Sequence, residues 1–450
     1  MEPLNNKQLS TPKLYLLTGL ILLAVGLLFG ISGAIQYLVP DYLKEHFSFE
    51  KIRPLHVTSI LFWIILGSTG GVVSYLQQYN NQKIKYPFLL KIQYLIFSIT
   101  ILTILIAYIF GFFGGREYWE FPPILALPIA IGWILFIINF ISSVNSFRNQ
   151  PVYIWMWMTG VFFFLLTFTE NYLWEFPYFR EHFVKDMTIQ WKANGSLVGS
   201  WNQMIYGTAF FLMDKLSGNT AGSKSNLAFR MYFLGLGNLM FNWGHHIYTL
   251  PTENYIRVVS YAVSMTEWIL LARIIYLFRK TVTEAQKLFH YFPFRFLFAS
   301  EIWVFLNLAL AILMSIPVLN LYTHGTHITV AHAMGTTIGI NTMILLGACF
   351  EFMMKKNDTL VGSKVLNFVF WLTQFSLFVF WVTLIIIGLN RGMWQMQTTP
   401  SPFSSMMAEQ AGLFHVFVVS GIVLMISLLT IAVALLNSFF KEVFSRKLSA

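Results

Sequence analysis

The stretch TVAHAMGTTIGINTM, residues 329–343, sets a histidine and a methionine two positions apart inside an otherwise apolar run. An imidazole without a partner is costly in a hydrocarbon core, so His332 marks either a ligand or a specific contact. The run continues to about 353, and apolar windows of this length recur along the whole chain. Crossing a bilayer core of roughly 30 Å takes about 20 such residues. Twelve windows qualify, near 14–38, 54–77, 87–112, 122–143, 152–174, 194–213, 228–249, 254–278, 293–317, 328–353, 364–388 and 412–440. The expected fold is an all-α integral membrane protein of twelve transmembrane helices, with residues 1–450 forming one polytopic domain.

Composition agrees, since 56% of the residues are hydrophobic and 11% charged, a balance outside the range of soluble domains. Most of the 29 Lys and Arg fall in loops on the side of the N-terminus, including Lys83/Lys85/Lys91, Arg279/Lys280/Lys287 and Lys355/Lys356. The positive-inside rule then puts both termini in the cytoplasm. The net charge of +10 is mostly this topology signal and calls for no nucleic acid. The first apolar segment reads as a retained helix rather than a signal peptide. The longest loops, about 36–53, 175–193 and 389–411, lie on the outer face. Cys349 is the only cysteine and sits within the tenth window, which excludes disulfides and cysteine-based metal sites. No Walker loop or dinucleotide fingerprint is present, which argues against ATP-driven transport.

Among the ten histidines, four in predicted spans stand out: His56 in the second, His245 and His246 in the seventh, and His332 in the tenth. Each imidazole either bonds a neighbouring helix or ligates a metal. His245 and His246 leave their helix about 100° apart, an angle that lets both converge on one metal if other helices supply further ligands. Imidazole suits iron, copper or zinc. His332 and Met334 point about 200° apart and cannot share a metal. They can serve two cofactors flanking the helix, because both side chains are axial ligands of haem iron, with His56 as a second axial ligand for one haem. Met334 can equally be a gap filler in an apolar core.

With these positions in view the chain resembles the haem-copper oxidase superfamily, and within it the catalytic subunit of cytochrome-c-dependent nitric oxide reductase. The motifs are RPLHVTSILFWIILG (53–67), GREYWEF (115–121), GHHIYTLP (244–251), SMTEWI (264–269) and YTHGTHITVAH (322–332). The histidine-proline-glutamate-valine-tyrosine motif of mitochondrial-type oxidases is absent. The resemblance implies that His332 is the axial ligand of a high-spin haem b3, that His56 ligates a low-spin haem b, and that His245 and His246 hold a non-haem iron or other metal. It implies that Glu267 lies near that metal, and that Glu120 with the Gly67 carbonyl sits near haem propionates or a calcium ion. It also implies a bacterial inner-membrane oxidoreductase of respiratory electron transport and denitrification. Electrons would come from a membrane-anchored cytochrome c subunit or another c-type cytochrome.

The chain departs from that pattern where chemistry is decided. A register anchored on Gly199 and Trp201 puts Asn194, Val198 and Asn202 where the family has a histidine and two glutamates. Asn194 thus stands in for the third histidine ligand of the non-haem metal. Met334 replaces a histidine, which makes the low-spin haem His56/Met334 and raises its potential. These changes resemble nitric oxide dismutase-type variants, which are thought to turn nitric oxide into dinitrogen and oxygen. The readings in play are therefore nitric oxide reduction to nitrous oxide, dismutation, a non-catalytic haem protein binding a diatomic gas, and a fold repurposed for ion conduction. Lys83, Asp214 and Glu351 either line a proton route or are interfacial charges.

Overall fold

The computed structural model describes residues 11–80, 83–264, 266, 268–354 and 363–448, with side chains described to 441. Among the described residues the regular elements are all helical. The principal helices are α1 (Thr11–Ile35), α2 (Phe49–Tyr79), α3 (Pro87–Ile109), α4 (Ala126–Ser143), α5 (Val152–Glu170), α6 (Phe183–Ser217) and α7 (Asn226–Phe241). They are followed by α8 (Asn254–Ser264), α9 (Trp268–Thr281), α10 (Tyr291–Ser315), α11 (His327–Met353), α12 (Lys364–Gln395) and α13 (Ala411–Leu448).

Among the described residues ten helical spans are long and apolar enough to cross a membrane, α8 and α9 together forming one of them. The two other predicted crossings, 194–213 and 228–249, are helical but differ from that description. The first is part of α6, which runs for 35 residues and buries Gln190, Asn194, Ser200, Gln203 and Asp214. It starts at Phe183, inside what the sequence suggests is an outer loop over 175–193. The second stops as an α-helix at Phe241 after 16 residues, and Asn242–Ile247 continues as a 3-10 turn. Ten is accordingly the number of crossings that length and apolarity support, against the twelve expected.

Side-chain contacts sort the helix ends into two sets. At one end, Arg53 of α2 pairs with the 110–122 loop, whose Glu117 carbonyl accepts from Asn194 of α6. At the same end Trp191 of α6 meets His246 beyond α7, and Tyr37 beyond α1 meets His327 of α11. At the other end, the Asn80 amide donates to the Ser143 carbonyl, the Gln286 amide to the Ser217 carbonyl, and His290 pairs with Glu351. All four of the singled-out histidines, His56, His245, His246 and His332, lie toward the first of these ends, which the positive-inside expectation would make the outer face.

α1 and α2 form the closest helix pair, and glycine makes this possible. A Cβ at Gly26 would stand 2.7 Å from Ile60, and one at Gly30 would stand 2.7 Å from the His56 ring. These glycines are four residues apart on one face, the small-residue spacing that lets membrane helices touch backbone to backbone.

α11 is not a uniform helix. It is α-helical over His327–Met334, π-helical over Gly335–Thr342 and α-helical again from Met343. The Thr342 hydroxyl donates to the Thr337 carbonyl five residues back (2.8 Å) and accepts from the Trp63 indole of α2 (3.0 Å). Wide turns of this kind cluster at functional sites. Here the turn begins immediately after Met334.

Candidate haem and metal centre

His56 stands in the second turn of α2, one turn beyond Arg53. Its Nδ1 is 2.7 Å from the Gly26 carbonyl. A carbonyl only accepts, so Nδ1 carries the proton and Nε2 keeps a free lone pair. Ligating histidines are commonly oriented in this way by a backbone oxygen.

His332 is half-buried in the second turn of α11. The main-chain oxygen of Asn307, on α10, lies within reach of its imidazole, while Nδ1 makes no hydrogen bond of good geometry. The Asn307 amide donates to Thr336 (2.8 Å), and the Thr336 hydroxyl donates to the His332 carbonyl (3.2 Å). Met334 is half-buried and packs on the apolar core.

The 3-10 turn after α7 carries His245 and His246, with ring centroids 4.2 Å apart and planes at 39°. His245 Nδ1 lies 2.9 Å from Asn242 Oδ1, an oxygen that also takes the Ser264 hydroxyl proton. An acceptor so placed protonates Nδ1 and leaves Nε2 free. The Asn320 amide donates to the His245 carbonyl (3.2 Å) and fixes the turn from the α11 side. His246 stacks on Trp191, 5.1 Å away and 11° from parallel, and His324 lies 6.5 Å beyond. His332 is within electrostatic reach of both His245 and His246. His245 and His246 are therefore adjacent with His332 in their electrostatic neighbourhood, while His56 stands on the α1 side of α2.

Helix α6 meets this cluster through Trp191, one turn before Asn194. Trp191 faces His246, Gly195 packs against Trp243 and Gly199 against Leu239, each four residues on from the last. Asn194 is buried, its amide nitrogen 3.4 Å from the Glu117 carbonyl and its Oδ1 without a partner. Val198 packs on the core, and Asn202 accepts from Asn341 of the π turn (3.0 Å).

Glu120 and Gly67 do not share a site. Glu120 pairs with Arg53 (3.1 Å), whereas Gly67 lies deep in α2 against Leu345. Arg53 and Gly67 are 14 positions apart on one helix, about 21 Å along its axis. Glu120 keeps a buried oxygen with no partner, and burial pushes its pKa above the ordinary carboxylate range. Glu267 lies outside the described residues, as do Lys355 and Lys356. Asp214 accepts from the Ser223 hydroxyl, Glu351 is bound to His290, and Lys83 is exposed at the opposite face.

Sequence reasoning missed Trp191, His324, Arg53 and Arg391. His324 sits in the turn before α11, where burial lowers its pKa, and Arg391 has a buried Nε without a partner. An arginine one turn before a membrane histidine was the available signal for Arg53.

The donor set fits haem. His56 offers a free Nε2, His332 has an unpartnered Nδ1, and Arg53 and Arg391, both near Tyr37 at the same end of the bundle, would meet the carboxylates of a haem bound there. The second metal is fitted less completely. Among the described residues no three His, Cys, Asp or Glu form a metal-holding group. The donors nearest His332 are the imidazoles of His245 and His246; His324, whose ring lies 6.5 Å from that of His246, and the unpartnered Asn194 oxygen are the candidates for a third.

The family model described as cytochrome c and quinol oxidase polypeptide I matches residues 11–441. The chain belongs to this family. Members are oxidoreductases of respiratory electron transport that bind haems and a second metal, and this chain is a multi-pass membrane protein among them. It is 22% identical over 361 residues to a nitric oxide reductase subunit of Stutzerimonas stutzeri, covering 74% of this chain and 73% of the relative. It is 21% identical to the cbb3-type cytochrome c oxidase subunit CcoN1 of the same organism, over 82% of this chain and 81% of that one. A cryo-EM structure of a heme-copper terminal oxidase dimer superposes with a TM-score of 0.68 at 14% identity, covering 97% of this chain and 84% of that one. The chain is a divergent member of the haem-copper oxidase superfamily.

Proposed function

We propose that this family member converts nitric oxide to nitrous oxide at a haem held by His332, opposite His245 and His246. Electrons would arrive from a c-type cytochrome through a second haem held by His56 and Met334. The observation that carries the reading is the gathering of His245 and His246 within reach of His332 in the outer half of the bundle, with Asn242 presenting a free nitrogen of His245. The similarity to a nitric oxide reductase of Stutzerimonas stutzeri supports the choice of substrate.

Haem iron at His332 supplies binding and electron transfer to a diatomic ligand. The chain's own groups do the rest. His245 and His246 on the 3-10 turn would hold a second metal, Trp191 walls His246, and the Asn194 amide would be a neutral third donor to that metal. An amide leaves that metal more weakly held and more oxidising than a third imidazole would.

A second reading is dismutation to dinitrogen and oxygen. Reduction needs two protons, and α6 carries no carboxylate or histidine between Lys192 and Asp214. Dismutation consumes neither external electrons nor protons. Anaerobic turnover of isotopically labelled nitric oxide, with and without reduced cytochrome c, separates the two by mass spectrometry. Nitrous oxide only with donor supports reduction; labelled dinitrogen and oxygen without donor supports dismutation. Absence of any product from haem-loaded protein defeats both and leaves the gas-binding reading.

A further inference from the structure

One residue of α10 approaches the helix that carries His332 at three points. Asn307 of α10 is 2% exposed. Its main-chain oxygen lies within reach of the His332 imidazole. Its amide nitrogen donates to Thr336, and Thr336 donates in turn to the His332 carbonyl. Its amide oxygen has no hydrogen-bond partner and lies where a side chain at Gly335 would stand. The Trp381 indole nitrogen, also unpartnered, is 3.1 Å from that same point. Gly335 thus supplies the room that lets the Asn307 amide lie flat against the first residue of the π turn.

We infer that Asn307 is a positioning residue for His332 and sets the strength of its bond to iron. The inference rests on the reading of His332 as the axial ligand. A carbonyl has two lone pairs, so the Asn307 oxygen can serve its own helix and still take the proton of the histidine nitrogen that faces away from iron. A proton shared in this way gives the ring more anionic character and makes the opposite nitrogen a stronger donor. The side chain keeps the carbonyl in place. Its bond to Thr336 ties α10 to the turn carrying His332, and its oxygen wedges between Gly335 and Trp381. Leucine has a similar volume but lacks both amide functions, so it would fill the space and release the tie.

Resonance Raman spectra of the ferrous, haem-loaded full-length chain read the iron–histidine stretch directly. Asn307→Leu is expected to move that band to lower frequency and to raise the midpoint potential of the same haem. Gly335→Ala, whose methyl meets the Asn307 amide, should move the band the same way, and Thr336→Val should do so by less. An unmoved band in Asn307→Leu at full haem content would overturn the inference. If Asn307→Leu does not fold, Thr336→Val decides, because it removes a single hydroxyl; an unmoved band there has the same force. Absence of any iron–histidine band in the unsubstituted protein would instead remove His332 as the ligand, and the inference with it.

Discussion

Trp191 and His246 lie face to face, their rings 5.1 Å apart and 11° from parallel. The contact backs one imidazole of the pair with a flat apolar wall from α6. Aromatic pairs of this kind contribute about 0.5–1.5 kcal/mol beyond buried area. Trp191→Ala should therefore lower stability by about that much plus a cavity term. Trp191→His should place a further imidazole against His246. After exhaustive dialysis, the metal-to-haem ratio of Trp191→His is expected to exceed that of the parent, as measured by elemental analysis. An equal ratio would mean that position 191 does not look onto a metal site.

Met334→His tests the low-spin haem. Replacing a thioether by imidazole stabilises ferric iron, so the midpoint potential should fall and the low-spin visible bands should shift. Identical spectra and potentials would mean that Met334 is packing only.

Gly30→Ala tests the seat of His56. The added methyl would stand 2.7 Å from Nδ1, so either the ring turns or the helices part. Overpacking of this size costs about 1–3 kcal/mol. Low-spin haem content, read from the reduced-minus-oxidised spectrum, should drop while the high-spin haem persists. Equal loss of both haems would point to general unfolding instead.

Arg53→Gln should make stability depend on pH through Glu120. Burial raises the pKa of this carboxyl in the folded state, and Arg53 opposes the rise. A carboxyl whose folded pKa exceeds its unfolded value binds more protons when folded, so stability falls as pH rises from the unfolded value, near 4.3, through the folded one. Without the guanidinium that window widens upward. The variant should lose more thermal stability relative to the parent at pH 8 than at pH 5, and parallel pH profiles would dissociate Glu120 from Arg53.

Ten of the twelve expected crossings were legible because apolar length is a local signal. The facing of α6 was not. Matching Gly199 and Trp201 to a family pattern points to Asn194 and passes over Trp191, three residues earlier and on nearly the same face of the helix. The residue that meets His246 is Trp191, and the Asn194 amide is drawn to a loop carbonyl 77 positions earlier in the chain. The site shared by Glu120 and Gly67 failed for a related reason, since sequence motifs carry no distance along a helix. The end of α7 at Phe241 was also hidden, because the apolar run passes through the His-His pair without a break.

The wide turn in α11 uncouples the two halves of that helix. Met343 to Phe350 are buried on every side, whereas His332, Met334, Thr336 and Thr337 remain half-open toward the site. One continuous α-helix would lock both halves into a single rotational phase. The extra residue lets the inner half seat as an anchor chosen by packing alone, while the outer half is set, like a bit on a shank, at the angle its ligands require. Shortening the turn by one residue would leave the anchor in place and swing His332 by about 100°.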